Sequence, residues 1–398
     1  VSEPFDVIVV GGGMVGASLA CALAMPDSGA MPLRVGLMDA REPAGPPQAG
    51  FDARVSAITR ASARFLDALG VWDGITARGV GHFREMHVWD AGGSGEIHFD
   101  SADVGEHTLG YIVENGAIVA GLWERLRSLE TVELLCPQSP VDLHRADGVT
   151  DLVAASGDRW RTGLLVGADG FDSQGGMYDQ MAVVTTVRPE RHHADIAWQR
   201  FLPNGPLAFL PLPRSCCSIV WSTTPEEAGD LLAMHEDAFA WALSEAFEHR
   251  LDGLSLVGPR HAFPLRLQHA RSYVRPGIAL VGDAAHTVHP LAGQGVNLGF
   301  LDAAVLAEVL SEEWALHKRP GRLAALRRYE RRRKGDNLAM MAAVDGLKRL
   351  FGSEDAPLRF VRNLGLKLTD SSGPVKQLIM RRAMGFDGDL PRIVRGRC

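Results

Sequence analysis

Short apolar runs that stop abruptly at glycine or aspartate recur along the chain and set out its elements. FDVIVV (5–10) is continuous enough to predict a buried strand; the glycines behind it predict a turn, and the apolar residues from about Val15 a helix. LRVGLMDA (33–40) predicts a second strand ending at Asp39. LLVGADGFDS (164–173) predicts a third, ending at Asp169-Gly170, and GIALVGDAAH (277–286) a fourth, ending at Gly282-Asp283. Between these last two, MAVVTTV, DIAWQRFL, LAFLPL and CSIVWST are short β-type runs separated by Pro, Gly and charged residues, which predicts a mostly antiparallel sheet. From Leu323 the pattern is helical. The expected class is α/β: a Rossmann-type domain interleaved with an antiparallel sheet, followed by a C-terminal helical region.

The first turn carries chemistry. Gly11, Gly13 and Gly16, with Met14 and Val15 between the last two, satisfy GxGxxG. Gly11 permits the tight turn, Gly13 lets backbone approach a pyrophosphate, and Gly16 lets helix and strand pack closely. The phosphate then faces a helix N-terminus, where free N–H groups favour an anion. Asp39 stands where an acid accepts hydrogen bonds from a ribose, which disfavours a 2′-phosphate and points to FAD or NAD. A chance glycine turn is the competing reading; the strand before, the helix after and the acid downstream argue against it. The Gly/Asp strand ends at Asp169 and Gly282-Asp283 favour FAD, because a longer dinucleotide can lie across several strand ends.

Composition narrows the class without changing it. With 398 residues, of which 46% are hydrophobic and 22% charged, the chain can bury a sizeable core and form two or three domains. A net charge of -7 gives no electrostatic reason to expect nucleic acid. Cys21, Cys136, Cys216, Cys217 and Cys398 form no CxxC pair, which favours reduced thiols and a cytoplasmic setting. The start VSEPFDVIVVGGG has neither the basic region nor the cleavage site of a signal peptide, and no run is long enough to span a bilayer, so membrane contact is expected to be peripheral.

The stretch VGDAAHTVHPLAGQGVNLG (281–299) breaks an apolar run with Asp283 and then sets His286, His289, Pro290, Gly293 and Gly295 before another helix. Together with Gly11-x-Gly13-x-x-Gly16 and Asp169-Gly170, it resembles the three fingerprints of the class A flavoprotein monooxygenases, the group of p-hydroxybenzoate hydroxylase. More narrowly, FDARVSAITRASARFLDALGVWD, MHVWDAGGSGEIHFD, LGYIVEN, GDAAHTVHPLAGQGVNLGFLDA and YERRRKGDN resemble the ubiquinone-biosynthesis hydroxylases of the UbiH/UbiF/UbiI type, in order and nearly end to end.

The resemblance implies a p-hydroxybenzoate hydroxylase-like fold. Its FAD-binding domain is expected over 1–75, 107–175 and 270–322, its substrate sheet over 76–106 and 176–269, and its helical region over 323–398. It implies that Asp283 binds the ribityl chain, that Pro290 to Asn297 (Pro290, Gly293, Gly295, Val296, Asn297) wrap the isoalloxazine, and that Arg54 reaches toward FAD. A surface arginine is the alternative for Arg54, and an ordinary N-cap for Asn297. Free N–H groups around Gly295 would stabilise an anionic reduced flavin. The implied reaction is hydroxylation of a polyprenylated phenol or benzoquinol with NAD(P)H and O2, by way of a C4a-hydroperoxyflavin. No second dinucleotide motif appears for NAD(P)H, and the resemblance implies that it binds transiently. The rival is a non-hydroxylating flavoprotein, either a reductase or a scaffold subunit.

Since the flavin carries the chemistry, His286, His289 and Pro290 are only candidate catalytic residues, and structural histidines are at least as well supported. No metal is implied. Phe209, Leu210, Pro211 and Trp221 are candidate lining residues, with core packing the alternative. The link SQGGMYDQ (173–180) is shorter than the family's, which suggests residues omitted within 173–177. The run RRYERRRK (327–334) reads as a solvated face, or as contact with anionic lipid or a partner. A quinone-synthesis complex and a homo-oligomer are the expected associations.

Overall fold

The strand Phe5–Val10 is flanked on both sides by parallel partners, Arg159–Gly167 and Val35–Met38. It lies inside an eight-stranded sheet in which Val35–Met38 pairs with Val132–Leu135 and Arg159–Gly167 pairs with Ile278–Leu280. A parallel strand covered on both faces needs apolar side chains at every position, which is why these runs are continuous rather than alternating. The helices Met14–Ala24 and Gly295–His317 pack together on one face, over the largest core. Phe5, Ile8, Val10, Met38 and Leu165 form a smaller core on the other. This computed structural model describes residues 3–25, 32–45, 50–146, 148–169, 175–287, 295–352 and 355–395.

A second, nine-stranded sheet contains Gly175–Pro189, Ile196–Leu202, Gly205–Leu212, Cys216–Thr223 and His261–His269 in antiparallel pairings. One neighbour is parallel: Ile196–Leu202 runs alongside Glu85–Asp90. Side chains alternate between two covered faces. One face packs against the helices Pro225–Ala233 and Glu236–Ala246, through a core that includes Phe209, Trp221, Phe239 and Phe247. The Phe209 and Phe247 rings stack with centroids 3.8 Å apart. The other face opens on a cavity.

A three-stranded sheet of Val55–Thr59, Gly110–Glu114 and Gly81–Phe83 lies apart from both. Gly81–Phe83 pairs with Gly110–Glu114, and the next strand, Glu85–Asp90, belongs to the large antiparallel sheet. Of the C-terminal helices Leu323–Gly352, Ala356–Ser371 and Gly373–Ala383, the first packs Val344 and Phe351 against Val88 and Phe201 of the large sheet, and the last packs Met380 beside Leu109 and Phe83. They are anchored by Arg362, which donates to both carboxylate oxygens of buried Asp90 at 2.7 and 2.9 Å and to the Phe351 carbonyl at 2.9 Å. The four described cysteines are free thiols, and burial pushes the Cys21 thiol up to about 12. No helix among the described residues is long and apolar enough to cross a membrane.

Candidate functional site

The glycines of the first turn sit where their backbone is needed. Gly11 has φ +107°, and a Cβ on it would lie 2.8 Å from the Asp169 nitrogen. A Cβ on Gly16 would lie 1.9 Å from the Gly11 carbonyl, so helix and strand can pack this closely only through glycine. Gly13 is the opposite case: it caps the helix Met14–Ala24 without any side-chain hydrogen bond, and a Cβ there would meet nothing within 4 Å. The helix N-terminus thus faces open space, which suits an anion. Asp39 stands beside this turn, with Oδ2 accepting the Gly12 N–H at 2.6 Å and Oδ1 accepting from Arg41 at 3.0 Å. Trp123 closes the other side, donating to the Gly12 carbonyl at 2.7 Å.

The Gly282-Asp283 end reaches the same place. Gly282 has φ +58°, with its Cβ direction 3.1 Å from Val15, and a Cβ on Gly299 would come within 2.5 Å of Val15. Val15 thus fills the junction of the first turn, the Gly282 turn and the helix Gly295–His317, while Gly11 joins the first turn to Asp169. The three strand ends converge on one cleft. Asp283 follows Gly282 at this cleft and stays exposed at its surface; desolvation by the protein beside it raises its carboxyl pKa, opposed by the charges of His286 and Arg54. Arg54 is exposed in the segment before Val55–Thr59, its guanidinium carbon 5.7 Å from the Phe263 ring centre.

Behind the Gly282 turn lies a buried polar network. Asp302 is fully buried; Oδ2 accepts from His286 Nε2 at 2.5 Å and from the Gly282 N–H at 3.2 Å. Its Oδ1 accepts from Arg333 Nε at 2.8 Å and from Asn337 Nδ2 at 3.1 Å. Burial alone would raise this carboxyl; His286 and Arg333 hold it down at about 2. His286 is therefore buried against Asp302, supporting the turn from behind. Tyr329, Arg333 and Asn337 are buried at helical spacing, so one stripe of the helix through the basic run 327–334 faces the core and is not solvated.

Asn297 lies inside the first turn of the helix Gly295–His317 and not at its N-cap. Its Oδ1 accepts from the Thr59 N–H at 3.0 Å and its Nδ2 donates to the Ala57 carbonyl at 2.7 Å. The first turn of Gly295–His317, containing Gly295 and Val296, is thereby tied to the strand Val55–Thr59. His289, Pro290 and Gly293, like residues 170–174 at the short link, lie outside the described residues.

That same strand lines a cavity of about 210 Å³ between the antiparallel sheet and the helix Gly373–Ala383, with Phe83, Leu109, Leu210, Ile379 and Met380 among its walls. Of the four candidate lining residues, Leu210 is at the cavity. Phe209 and Trp221 point to the opposite face, into the helix-covered core, because adjacent strand residues alternate sides. Pro211 is buried, its carbonyl packed against Gly81. On the Trp198 side of the sheet, Glu85, His87 and His98 form a separate cluster in which His98 contacts Glu85 at 2.8 Å and His87 packs on Trp198. Sequence reading missed Trp123 and the Asp302 network; nothing in local spacing marks Trp123 or Asp302, and only the i, i+4, i+8 spacing of Tyr329, Arg333 and Asn337 could have pointed to the network.

Comparison with known proteins agrees with this geometry. The FAD binding domain family matches residues 4–342. The chain is 40% identical to the ubiquinone hydroxylase UbiL of Rhodospirillum rubrum, over 98% of this chain and 92% of that protein. It is 37% identical to the 3-demethoxyubiquinol 3-hydroxylase of Escherichia coli, over 97% of this chain and all of that one. The p-nitrophenol 4-monooxygenase PnpA of Pseudomonas putida shares the fold, with a TM-score of 0.75 at 19% identity over 97% of this chain and 98% of that one. Fold and site thus define an FAD-dependent flavoprotein monooxygenase. Within that class, the chain belongs to the family of ubiquinone-biosynthesis hydroxylases.

Proposed function

We propose that this chain hydroxylates the ring of a polyprenylated phenol or benzoquinol, taking electrons from NAD(P)H and oxygen from O2. The relative named for 3-demethoxyubiquinol supplies the substrate class. The observation that carries the reading is the wall shared by cleft and cavity: Asn297 ties the helix beginning at the cleft to the strand that lines the cavity. When bound, FAD supplies the redox chemistry and the activation of oxygen.

The chain's own residues bind, orient and exclude water. Gly11, Gly13, Met14, Val15 and Gly16 seat the pyrophosphate on the helix end. Asp39 and Asp283 accept from ribose and ribityl hydroxyls, with Asp169 and Arg54 at the rim. The N–H groups from Gly295 to Asn297, at the start of their helix, favour negative charge on the ring. The described cavity lining is mostly apolar and without Lys, Arg, His, Asp or Glu, so it holds a ring while limiting water around it. A cavity of about 150 Å³ takes benzene, so one of about 210 Å³ holds a single substituted ring and leaves a prenyl chain to run outward.

Ile379, which lines the cavity and is also 41% exposed, marks the way out. Beside it on the same helix Leu378 is 61% exposed, and Arg381 and Arg382 follow. This face suits an anionic lipid surface as the source of prenylated substrate. Co-sedimentation with anionic vesicles, lost in Leu378→Glu, is expected; self-association without vesicle binding would assign the face to a second copy.

A scaffold that never turns over has no use for a ring-sized cavity against the cofactor cleft, which disfavours the non-hydroxylating alternative. The deciding assay is oxygen uptake with NAD(P)H and a short-chain prenylphenol. Hydroxylated product matching the NAD(P)H consumed is expected, and uptake that yields only peroxide contradicts the reading.

A further inference from the structure

The described cavity lining has three polar side chains, Thr59, Gln199 and Ser222. The Thr59 hydroxyl is already engaged, donating to Ser62 Oγ at 3.1 Å and accepting the Ser62 N–H at 3.2 Å. Gln199 and Ser222 differ. Their strand neighbours serve the opposite face: Arg200 donates to the Ala246 carbonyl and to Glu248, and Trp221 joins the Phe209 core. Gln199 is 7% and Ser222 2% exposed, and among the described residues neither side chain has a hydrogen-bond partner. Their polar atoms open on the cavity and not on protein, so a ligand seated there can complete them.

Register sets the span. Gln199 faces Ala208 across one strand pair and Ala208 faces Val220 across the next, with Ser222 two residues further on. Strand spacing and rise then put the two Cα atoms roughly 12 Å apart. With both side chains reaching inward over the small floor of Ala208 and Pro206, that span fits one six-membered ring carrying oxygen substituents. No Lys, Arg, His, Asp or Glu is among the described lining residues, so a ring carboxylate would be buried without a counter-charge.

We propose that Gln199 and Ser222 are specificity-determining residues that hydrogen-bond the oxygen substituents of a neutral aromatic ring, and that the site rejects a ring bearing a carboxylate. The inference rests on the hydroxylase reading above and narrows its substrate to the uncharged ring.

The test titrates FAD-loaded protein with a short-chain prenylphenol, with the same prenylated ring lacking oxygen, and with the prenylated 4-hydroxybenzoate, following the ligand-induced change in flavin absorbance. Gln199→Leu is expected to weaken the phenol by roughly 5- to 150-fold while binding the oxygen-free ring as well as or better than the parent. Ser222→Ala, a smaller change to the wall, is expected to weaken the phenol by a few-fold and guards against misfolding of the first variant. The parent is expected to prefer phenol over benzoate by about 100-fold or more. Equal affinity for the benzoate, or phenol binding unchanged in both variants, overturns the inference alone if the parent still hydroxylates. A parent that binds neither ring and hydroxylates nothing removes the functional reading as well.

Discussion

The nucleotide cleft and the ring cavity share the strand Val55–Thr59 and little else in how they are built. The cleft is shaped by backbone: glycines at fixed spacing allow three strand ends to meet, one through Gly11 and another through Val15, and a buried charge network behind Gly282 holds the third in place. The cavity is shaped by which side chains alternation sends inward on one sheet, with helices covering the other face. Errors in the first region should therefore cost folding or cofactor, and errors in the second should cost ligand or core according to the parity of the residue.

The largest effect is expected behind the cleft. Arg333→Met removes the guanidinium from buried Asp302 and leaves the carboxylate with His286, Asn337 and the Gly282 N–H, and breaking such a pair costs about 3 to 5 kcal/mol. Chemical denaturation should register that loss together with weaker FAD retention, whereas an unchanged midpoint would detach the network from the cleft. Parity gives a comparable test in the sheet. Phe209→Ala should cost about 3 to 5 kcal/mol by opening a core void, with ligand affinity in the surviving fold nearly intact. Leu210→Ala, one residue on, should be milder to stability and change ligand binding. The reverse pattern would mean the faces are misassigned.

A smaller effect comes from acid. Since the Asp302 carboxyl is held at about 2, below its ordinary 3.8, the stability it contributes is complete above pH ~4 and is lost as pH falls toward 2. That component is roughly 2 kcal/mol. Acid unfolding of Asp302→Asn should be correspondingly shallower between pH 4 and 2, and an identical slope would show that other carboxylates set it.

The difference between the regions also explains what could be read from sequence. Gly11, Gly13 and Gly16 are legible because close backbone approach excludes a Cβ, and strand ends carrying Gly and Asp announce themselves at short range. Asp302 and Arg333 stand 31 residues apart, and the arginine is hidden in a run whose composition suggests solvent. Only the stripe Tyr329, Arg333, Asn337 at helical spacing hinted otherwise. In the sheet, alternation divided the strands into two faces without saying which one meets a ligand, because both are buried. The bulky Phe209 and Trp221 drew attention to the packed face, while Gln199 gave no local sign of facing a cavity.

The central claim is that the open space at Gly13 is the seat of the FAD pyrophosphate. Gly13 has φ -69° and ψ -173°, which alanine adopts without strain, so Gly13→Ala should melt without FAD within about 1 kcal/mol of the parent. Its new methyl group would then stand where the cofactor must approach. The decisive measurement is FAD affinity of this variant and the parent by fluorescence titration. The account predicts a loss of roughly tenfold or more, equivalent to 1.4 kcal/mol; equal affinity in an equally stable variant would contradict it.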